Sequence, residues 1–346
     1  AGAINLKDAA AEWTESFGAI ILALGAAPAP ADEFPGYGHP DVVTSVQFER
    51  LLSATGPGDG KLVRPSDHTE PARLAFIQCV GSRDPQAGAA YCSAVCCMAS
   101  LKEALVAREI TAGQVESTVF YMDLRAQGKG YEAYLEQARG HGVGLVRSRV
   151  TAVAPQPQGG VAVRFTNSRG RPREEPFDMA VLSVGLRPGN ALPAWARRLG
   201  VGLNEHGFIQ TSPLLQVTTA RPGVLVCGAA REPMDIPESV TTASAAAAVA
   251  SRLLTTASRT WTPKPPPVPS RVAEFPPRIG VFLCHCGTNI AKSVDLAKLA
   301  AAAARLPGVV HVEDNLFSCA VDSTTRMRET IQTHRLNRVV VAACSP

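Results

Sequence analysis

The chain of 346 residues is 46% hydrophobic and 18% charged, which gives it material for a large core and room for two or three domains. Its net charge of +4 is mild and spread out, which speaks against nucleic acid or an acidic membrane surface as partner. No apolar run approaches the ~20 residues that a membrane helix needs, no secretory signal peptide is visible, and the cysteine total is odd, so a reducing, cytoplasmic location is expected.

An apolar run over 17–25 reads as a buried strand entering a turn at Gly25, as where a chain approaches a nucleotide closely. A Pro/Gly-rich connection over 26–40, a short helix over 45–53 and a Gly/Pro-rich loop over 54–71 follow. Then come a strand over 74–80, a helix over 92–109, a strand over 117–123 and a helix over 131–139. Strands are predicted near 144–153, 161–166 and 179–184, so the order implies a parallel sheet with an antiparallel appendage. A strand over 223–227 ends at Gly228; beyond Pro237, Glu238 and Ser239 lies an Ala-rich helix over 242–254. The proline-rich stretch 262–277 reads as an extended linker between domains. The last module places strands over 279–283, 309–314 and 339–343 before Cys284 with Cys286, Cys319 and Cys344 respectively. Those four cysteines thus fall at the carboxyl ends of parallel strands, where open α/β sheets bind ligands. The chain opens at Ala1 and stops at Pro346 just past an apolar strand, which reads as a fragment of a longer protein.

Four cysteines gather in one short stretch, at Cys79, Cys92, Cys96 and Cys97. The predicted elements put Cys79 at a strand end and the other three on the first turns of a helix, with Cys92 and Cys96 on one face. A helix N-terminus also favours thiolates by lowering their pKa. Zinc draws four sulfurs to one atom and usually pairs cysteines two to four residues apart, which the adjacent Cys96 and Cys97 fit poorly. An iron–sulfur cubane spreads its ligands over separate corners and suits a loop-plus-helix set. Disulfides are disfavoured by composition, and four cysteines packed in a core without a ligand remain the plain alternative.

No phosphate-binding fingerprint stands in the right context. Gly140, Gly142 and Gly144 follow a helix and precede a strand, the reverse of the order that cradles a pyrophosphate, and read as a helix C-cap. Gly56, Gly58 and Gly60 lie in a loop with no helix after them. Where a nicotinamide-binding unit would carry glycines, this chain has Cys79-Val-Gly81-Ser-Arg83-Asp84.

Three runs together carry a resemblance: Cys79-Val-Gly-Ser-Arg-Asp followed by Tyr91-Cys-Ser-Ala-Val-Cys-Cys97, Val226-Cys-Gly-Ala-Ala-Arg-Glu-Pro-Met-Asp-Ile-Pro-Glu-Ser239, and Ile279-Gly-Val-Phe-Leu-Cys-His-Cys-Gly287. They resemble the iron–sulfur flavoprotein of heterodisulfide reductase, its A-type subunit, over nearly the whole chain. The resemblance implies an α/β, thioredoxin-reductase-like fold with two nucleotide domains. Residues 1–55 would be a partial FAD domain, 71–187 a pseudo-NAD(P) domain carrying a 4Fe-4S cluster, and 188–258 the return of the FAD domain. Residues 259–277 would be a linker, and 278–346 a truncated α/β module. It also implies that Cys79, Cys92, Cys96 and Cys97 ligate the cluster. It places Gly25 near the adenosine end of FAD, and Gly228 with Pro237, Glu238, Ser239 and Val240 near the isoalloxazine. Lys102 would lie beside flavin N5, with Glu49 as its acidic partner. A second cluster is expected on Cys284, Cys286, Cys319 and Cys344.

The resemblance further implies an electron-transfer oxidoreductase subunit in a multi-subunit complex, without nucleic acid or a membrane span. Electrons would arrive from a hydrogenase- or formate-dehydrogenase-type donor and be divided between disulfide-reducing, B/C-like subunits and ferredoxin. Two departures stand out: in that family the module resembling 279–346 precedes the FAD domain, and the FAD glycine fingerprint and ferredoxin-type cysteine runs are missing. Either a tandem fusion of two such subunits in the parent, or a segment joined differently, would account for the order. A non-catalytic iron–sulfur relay is the alternative, distinguished by a lack of flavin. A nicotinamide-dependent disulfide reductase would need a Cys-x-x-Cys pair and a dinucleotide fingerprint, and the sequence has neither.

Overall fold

The computed structural model describes residues 14–255, 275–286, 290–291 and 294–343. The chain divides into two compact units, Glu15–Trp261 and a second that contains the described residues from 275 onward.

The first unit begins with β1 (Ile20–Leu22), β2 (Ala26–Pro28), β3 (Val42–Thr44) and α1 (Ser45–Leu52). It continues with β4 (Arg73–Val80), α2 (Cys96–Ile110), β5 (Glu116–Tyr121), α3 (Tyr131–Gly140) and β6 (Gly144–Arg147). After β7 (Val150–Pro155), β8 (Val161–Thr166) and β9 (Pro172–Phe177) come β10 (Met179–Val184), β11 (Leu186–Pro188), α4 (Leu192–Leu199), β12 (Val224–Val226) and α5 (Ile236–Leu253).

The central sheet runs β3-β10-β4-β5-β6, all parallel. Its inner strands β4 and β10 are buried almost throughout, as near-continuous apolar runs covered on both faces must be. Alternate residues of β4 face opposite sides. Leu74 and Phe76 pack with Phe48, Leu101, Ala104 and Leu135 of the three helices. Ala75 and Ile77 pack with Val150, Val163, Phe165 and Phe177 of the antiparallel layer β7-β8-β9. This is the expected parallel sheet with an antiparallel appendage.

Local signals set the helix ends. Thr44 caps α1 in a reciprocal box with Gln47, and Asp235 does the same for α5 with Glu238. At the end of α3, Gly142 takes φ +81°, and the Val143 and Gly142 amides bond back to Ala138 and Arg139 at 3.1 and 2.9 Å. This is the C-cap predicted for those glycines.

Several boundaries differ from the expectations. The buried strand over 17–25 reduces to β1, in which Leu22 is buried while Ile20 and Ile21 are exposed, and Phe17 before it is 72% exposed. Among the described strands β1 pairs only with β12; Leu22 packs with Leu192, Val224 and Val226, while Ile20 and Ile21 stay uncovered. The stretch 144–153 is two strands in two sheets, β6 and β7. The edge strand β9, with sequence PREEPF, is polar and carries prolines, a composition that hides an edge strand from hydrophobic periodicity. The helix predicted over 242–254 starts earlier, at Ile236.

The second unit holds β13 (Ile279–Cys284), α6 (Leu296–Ala303), β14 (Val309–Asn315), α7 (Val321–Thr333) and β15 (Arg338–Ala342). Its sheet is parallel in the order β14-β13-β15, matching the expected parallel module. Cys344, Gly287 and the linker expected over 259–277, up to residue 274, lie outside the described residues. No helix among the described residues is long and apolar enough to cross a membrane.

Candidate functional site

The pairing of β4 with β10 shifts register between Leu182 and Val184, and there Cys79 takes φ +62°. Left-handed backbone costs an L-residue about 1–2 kcal/mol. Arg83 and Ala94 share it, at φ +55° and +62°, so the stretch around the thiols is held by its surroundings rather than by local preference. The clamp is a pair of serines. The Ser93 hydroxyl donates to Ser82 Oγ at 3.0 Å and accepts the Leu186 amide at 2.8 Å, while Ser82 donates to the Tyr91 carbonyl at 3.1 Å. Gly185 makes room for them, since a Cβ there would meet Ser93 Oγ at 2.5 Å.

Cys96 and Cys97 are the first two residues of α2, and both are buried. Cys92 is not on that helix. It lies in the bend before it, where left-handed Ala94 and the hydroxyl clamp prevent an earlier start, and the Ala94 amide donates to Cys92 Sγ at 3.4 Å. The expectation that Cys92 and Cys96 share a helix face is therefore corrected. The Cys96 thiol donates to the Val184 carbonyl at 3.6 Å, and the Cys97 thiol to the Asp123 carbonyl at 3.7 Å. The quartet thus gathers at the carboxyl ends of β4, β10 and β5.

The thiols sense one another. Burial pushes Cys79 up to about 11, and the charges of Cys97 and Cys92 add to the rise against the nearby Arg83. Burial also raises Cys96, with Cys79, Cys97 and Cys92 all adding. It raises Cys97 as well, opposed by the Arg125 backbone and by the Arg125 and Arg83 charges. The lowering expected from the helix N-terminus is outweighed by desolvation. Among the described residues no three His, Cys, Asp or Glu side chains close around a single metal ion.

The residues expected around the flavin fall in three places. Lys102 Nζ lies 2.6 Å from Glu49 Oε1, joining α2 to α1. Next to this pair Glu103 is 1% exposed, and its Oε2 has no hydrogen-bond partner. Burial pushes it up to about 8, Glu49 adds and Lys102 opposes. Gly25, at φ +70°, and Gly228, at φ +63°, each follow the carboxyl end of one strand of the parallel pair β1 and β12. Pro237, Glu238, Ser239 and Val240 form the first turns of α5.

Pro237 and Glu238 line a cavity of about 670 Å³ with Ala94, Tyr131 and Arg231. An adjoining cavity of about 510 Å³ reaches Ser239, Val240, Val95 and Met98. Across it the Tyr131 hydroxyl donates to Asp235 Oδ2 at 2.7 Å. The predicted flavin turn and the start of the cysteine helix therefore share a cavity, which neither Gly25 nor Gly228 lines.

In the second unit Cys284 is buried at the end of β13, Cys286 is half-buried just beyond it, and Cys319 is exposed after β14. The Ser318 amide donates to Cys284 Sγ at 3.4 Å. Burial pushes the Cys284 thiol up, but the Ser318 backbone and hydroxyl, with the Cys286 backbone, leave it lowered overall. Sequence reasoning gave no role to Ser82, Ser93, Gly185, Arg83, Asp123, Glu103, Tyr131 or Asp235. Ser82, Arg83, Ser93 and Asp235 stood within the quoted motifs, but nothing in their spacing marks a partner eleven or forty residues away.

A parallel α/β sheet with a thiol quartet at its strand ends, next to a cavity built on a capped helix, defines a cysteine-centred α/β protein. No protein-family model matches the sequence. It is 41% identical over 249 residues to the second iron-sulfur A-type subunit of CoB–CoM heterodisulfide reductase from Methanopyrus kandleri, covering 69% of this chain and 38% of that protein. It is 38% identical over 257 residues to the A-type subunit of the H(2):CoB-CoM heterodisulfide,ferredoxin reductase of Methanothermobacter marburgensis, covering 72% of this chain and 39% of that one. It is 35% identical over 262 residues to the A-type subunit of the ferredoxin:CoB-CoM heterodisulfide reductase of Methanosarcina mazei, covering 74% of this chain and 33% of that protein. The chain belongs to the family of heterodisulfide reductase A-type subunits, and it matches between a third and two-fifths of the length of these relatives. Among solved structures, thioredoxin reductase from T. acidophilum aligns at a TM-score of 0.42 and 14% identity, covering 70% of this chain and 66% of that one.

Proposed function

We propose that the chain is part of an FAD- and 4Fe-4S-dependent electron-transfer oxidoreductase subunit in a multi-subunit complex. The observation that carries this reading is the convergence of Cys79, Cys92, Cys96 and Cys97 at the strand ends, where open α/β sheets bind ligands. The residues fit a cluster: the four thiols lie near enough to act on one another's ionisation, and a buried guanidinium nitrogen of Arg83 beside them has no hydrogen-bond partner.

These four cysteines would hold the cluster, and the start of α5 from Pro237 to Val240 would border the flavin, with Gly25 and Gly228 at its other contacts. Bound there, the cluster takes and releases single electrons and FAD takes an electron pair. The chain's own residues bury the site, exclude water and supply charge. Buried neutral thiols must lose their protons to become ligands, so loading releases protons and weakens as pH falls. Lys102, held by Glu49, would place a positive charge at the flavin edge and favour its reduced anion. Cys284, Cys286, Cys319 and Cys344 would form a second cluster site.

By the resemblance of the sequence, electrons would come from a hydrogenase- or formate-dehydrogenase-type donor and be divided by flavin-based bifurcation between ferredoxin and disulfide-reducing subunits; the name of the Methanothermobacter marburgensis relative, an H(2):CoB-CoM heterodisulfide,ferredoxin reductase, supports the hydrogen and ferredoxin parts of that reading. Flavin content tests the reading. The anaerobically purified parent protein should show flavin absorbance together with iron and sulfide; iron and sulfide without flavin would make it a relay and remove bifurcation.

A further inference from the structure

The charges of Arg83 and Arg125 bear on the quartet. Arg125 acts on Cys97. Arg83 acts more widely: its charge bears on Cys79, Cys97 and Cys92.

The chain spends effort to keep Arg83 there. Its backbone is left-handed at φ +55°, and its amide donates to the Tyr91 carbonyl at 2.8 Å. Its Nη2 lies 2.7 Å from Asp123 Oδ2, just past the end of β5. This anchor leaves the other arm of the fork, Nη1, buried and without a hydrogen-bond partner. A buried donor left unmade is costly unless something completes it. The acceptors at hand are sulfurs, which carry negative charge once they are ligands.

We propose that Arg83 sets the reduction potential of the cluster, donating from Nη1 to the sulfur side of the site at Cys79 while Asp123 holds the guanidinium in place. The proposal rests on the cluster reading above and goes beyond it. A cluster on four thiolates is negative, and the electron that reduces it adds a further negative charge with no bond broken. A fixed cation and a hydrogen bond to sulfur favour that reduced state and raise the potential. Lysine cannot reproduce the effect in full, because one arm of the fork must grip Asp123 while the other reaches sulfur.

The test is a dithionite titration of the anaerobically purified protein, followed by electron paramagnetic resonance, with iron and sulfide counted on the same samples. Arg83→Gln should keep its iron and take a midpoint shifted negative by at least tenfold in the reduction equilibrium, about 59 mV for one electron. Arg83→Lys should shift the same way by less. Arg171→Gln, an exposed charge change, should not shift it. An unchanged midpoint in iron-replete Arg83→Gln overturns the proposal and leaves the cluster reading standing, as does an equal shift in Arg171→Gln. If Arg83→Gln loses its iron, Arg83→Lys decides: a negative shift supports the proposal and an unchanged midpoint overturns it. A wild-type protein without iron or sulfide overturns both readings.

Discussion

Lys102 and Glu49, 53 positions apart in sequence, meet at 2.6 Å and join α2 to α1. Both side chains are about half exposed, at 51% and 42%, and exposed pairs of this kind contribute about 0–1 kcal/mol. Stability therefore gives little account of the pair, whereas a positive charge at a flavin edge would. Lys102→Ala is expected to leave the urea midpoint nearly unchanged and to lower the flavin potential or destabilise its semiquinone. A redox titration identical to wild type would exclude that role.

Glu103, beside that pair, makes stability depend on pH. Its carboxyl is raised from an ordinary 4.5 to about 8 by burial, with Glu49 adding and Lys102 opposing. A folded-state pKa raised above the unfolded one contributes stability that is full below the unfolded value and is lost as pH climbs through the folded one. Over the window from about 4.5 to about 8, the protein should thus lose on the order of a few kcal/mol, at about 1.4 kcal/mol per pKa unit. Glu103→Gln should flatten that fall. Urea unfolding of both proteins at the two ends of the window measures it, and parallel pH profiles would show that Glu103 titrates normally.

Ser93 is fully buried and holds the bend that carries Cys92. Ser93→Ala strands the Leu186 amide and breaks the bond to Ser82, at a cost of about 1–3 kcal/mol for an unsatisfied buried group. The variant should fold, melt at lower temperature and take up iron less completely on reconstitution. Full iron uptake with an unchanged melting temperature would mean that the clamp does not place the cysteine.

Asp235 caps α5 and also accepts the Tyr131 hydroxyl across the cavity. Tyr131→Phe removes one hydrogen bond, worth about 0.5–1.5 kcal/mol. Asp235→Ala removes that bond and the cap, which alone is worth about 0.5–2 kcal/mol. Flavin retention in gel filtration should fall in the same order, least for Tyr131→Phe. Equal loss of stability in the two variants would show that the cap contributes nothing.

Much of this was legible in the sequence, for physical reasons. The apolar runs of β4 and β10, short, β-branched and bounded by turn signals, read as strands buried on both faces, and the cysteines stood out by spacing. What stayed hidden depends on contacts between distant residues. The bend at Ala94 that takes Cys92 off the helix is imposed by Ser82 and Ser93, and no local propensity reports it. The exposure of β1 reflects the partners it has, which its own apolar letters do not encode. Burial also reversed the direction expected for Cys96 and Cys97 at the start of α2, since helix position can be read from sequence and desolvation depth cannot.

The central claim is that Cys79, Cys92, Cys96 and Cys97 hold one 4Fe-4S cluster, and iron and sulfide counts on anaerobic wild-type and Cys96→Ser protein test it most directly. Cys96 is buried at the start of α2, and all three other thiols act on it. The account predicts that Cys96→Ser stays soluble and folded while losing about one cluster's worth of iron and sulfide. A folded Cys96→Ser protein with the wild-type iron and sulfide content would contradict it.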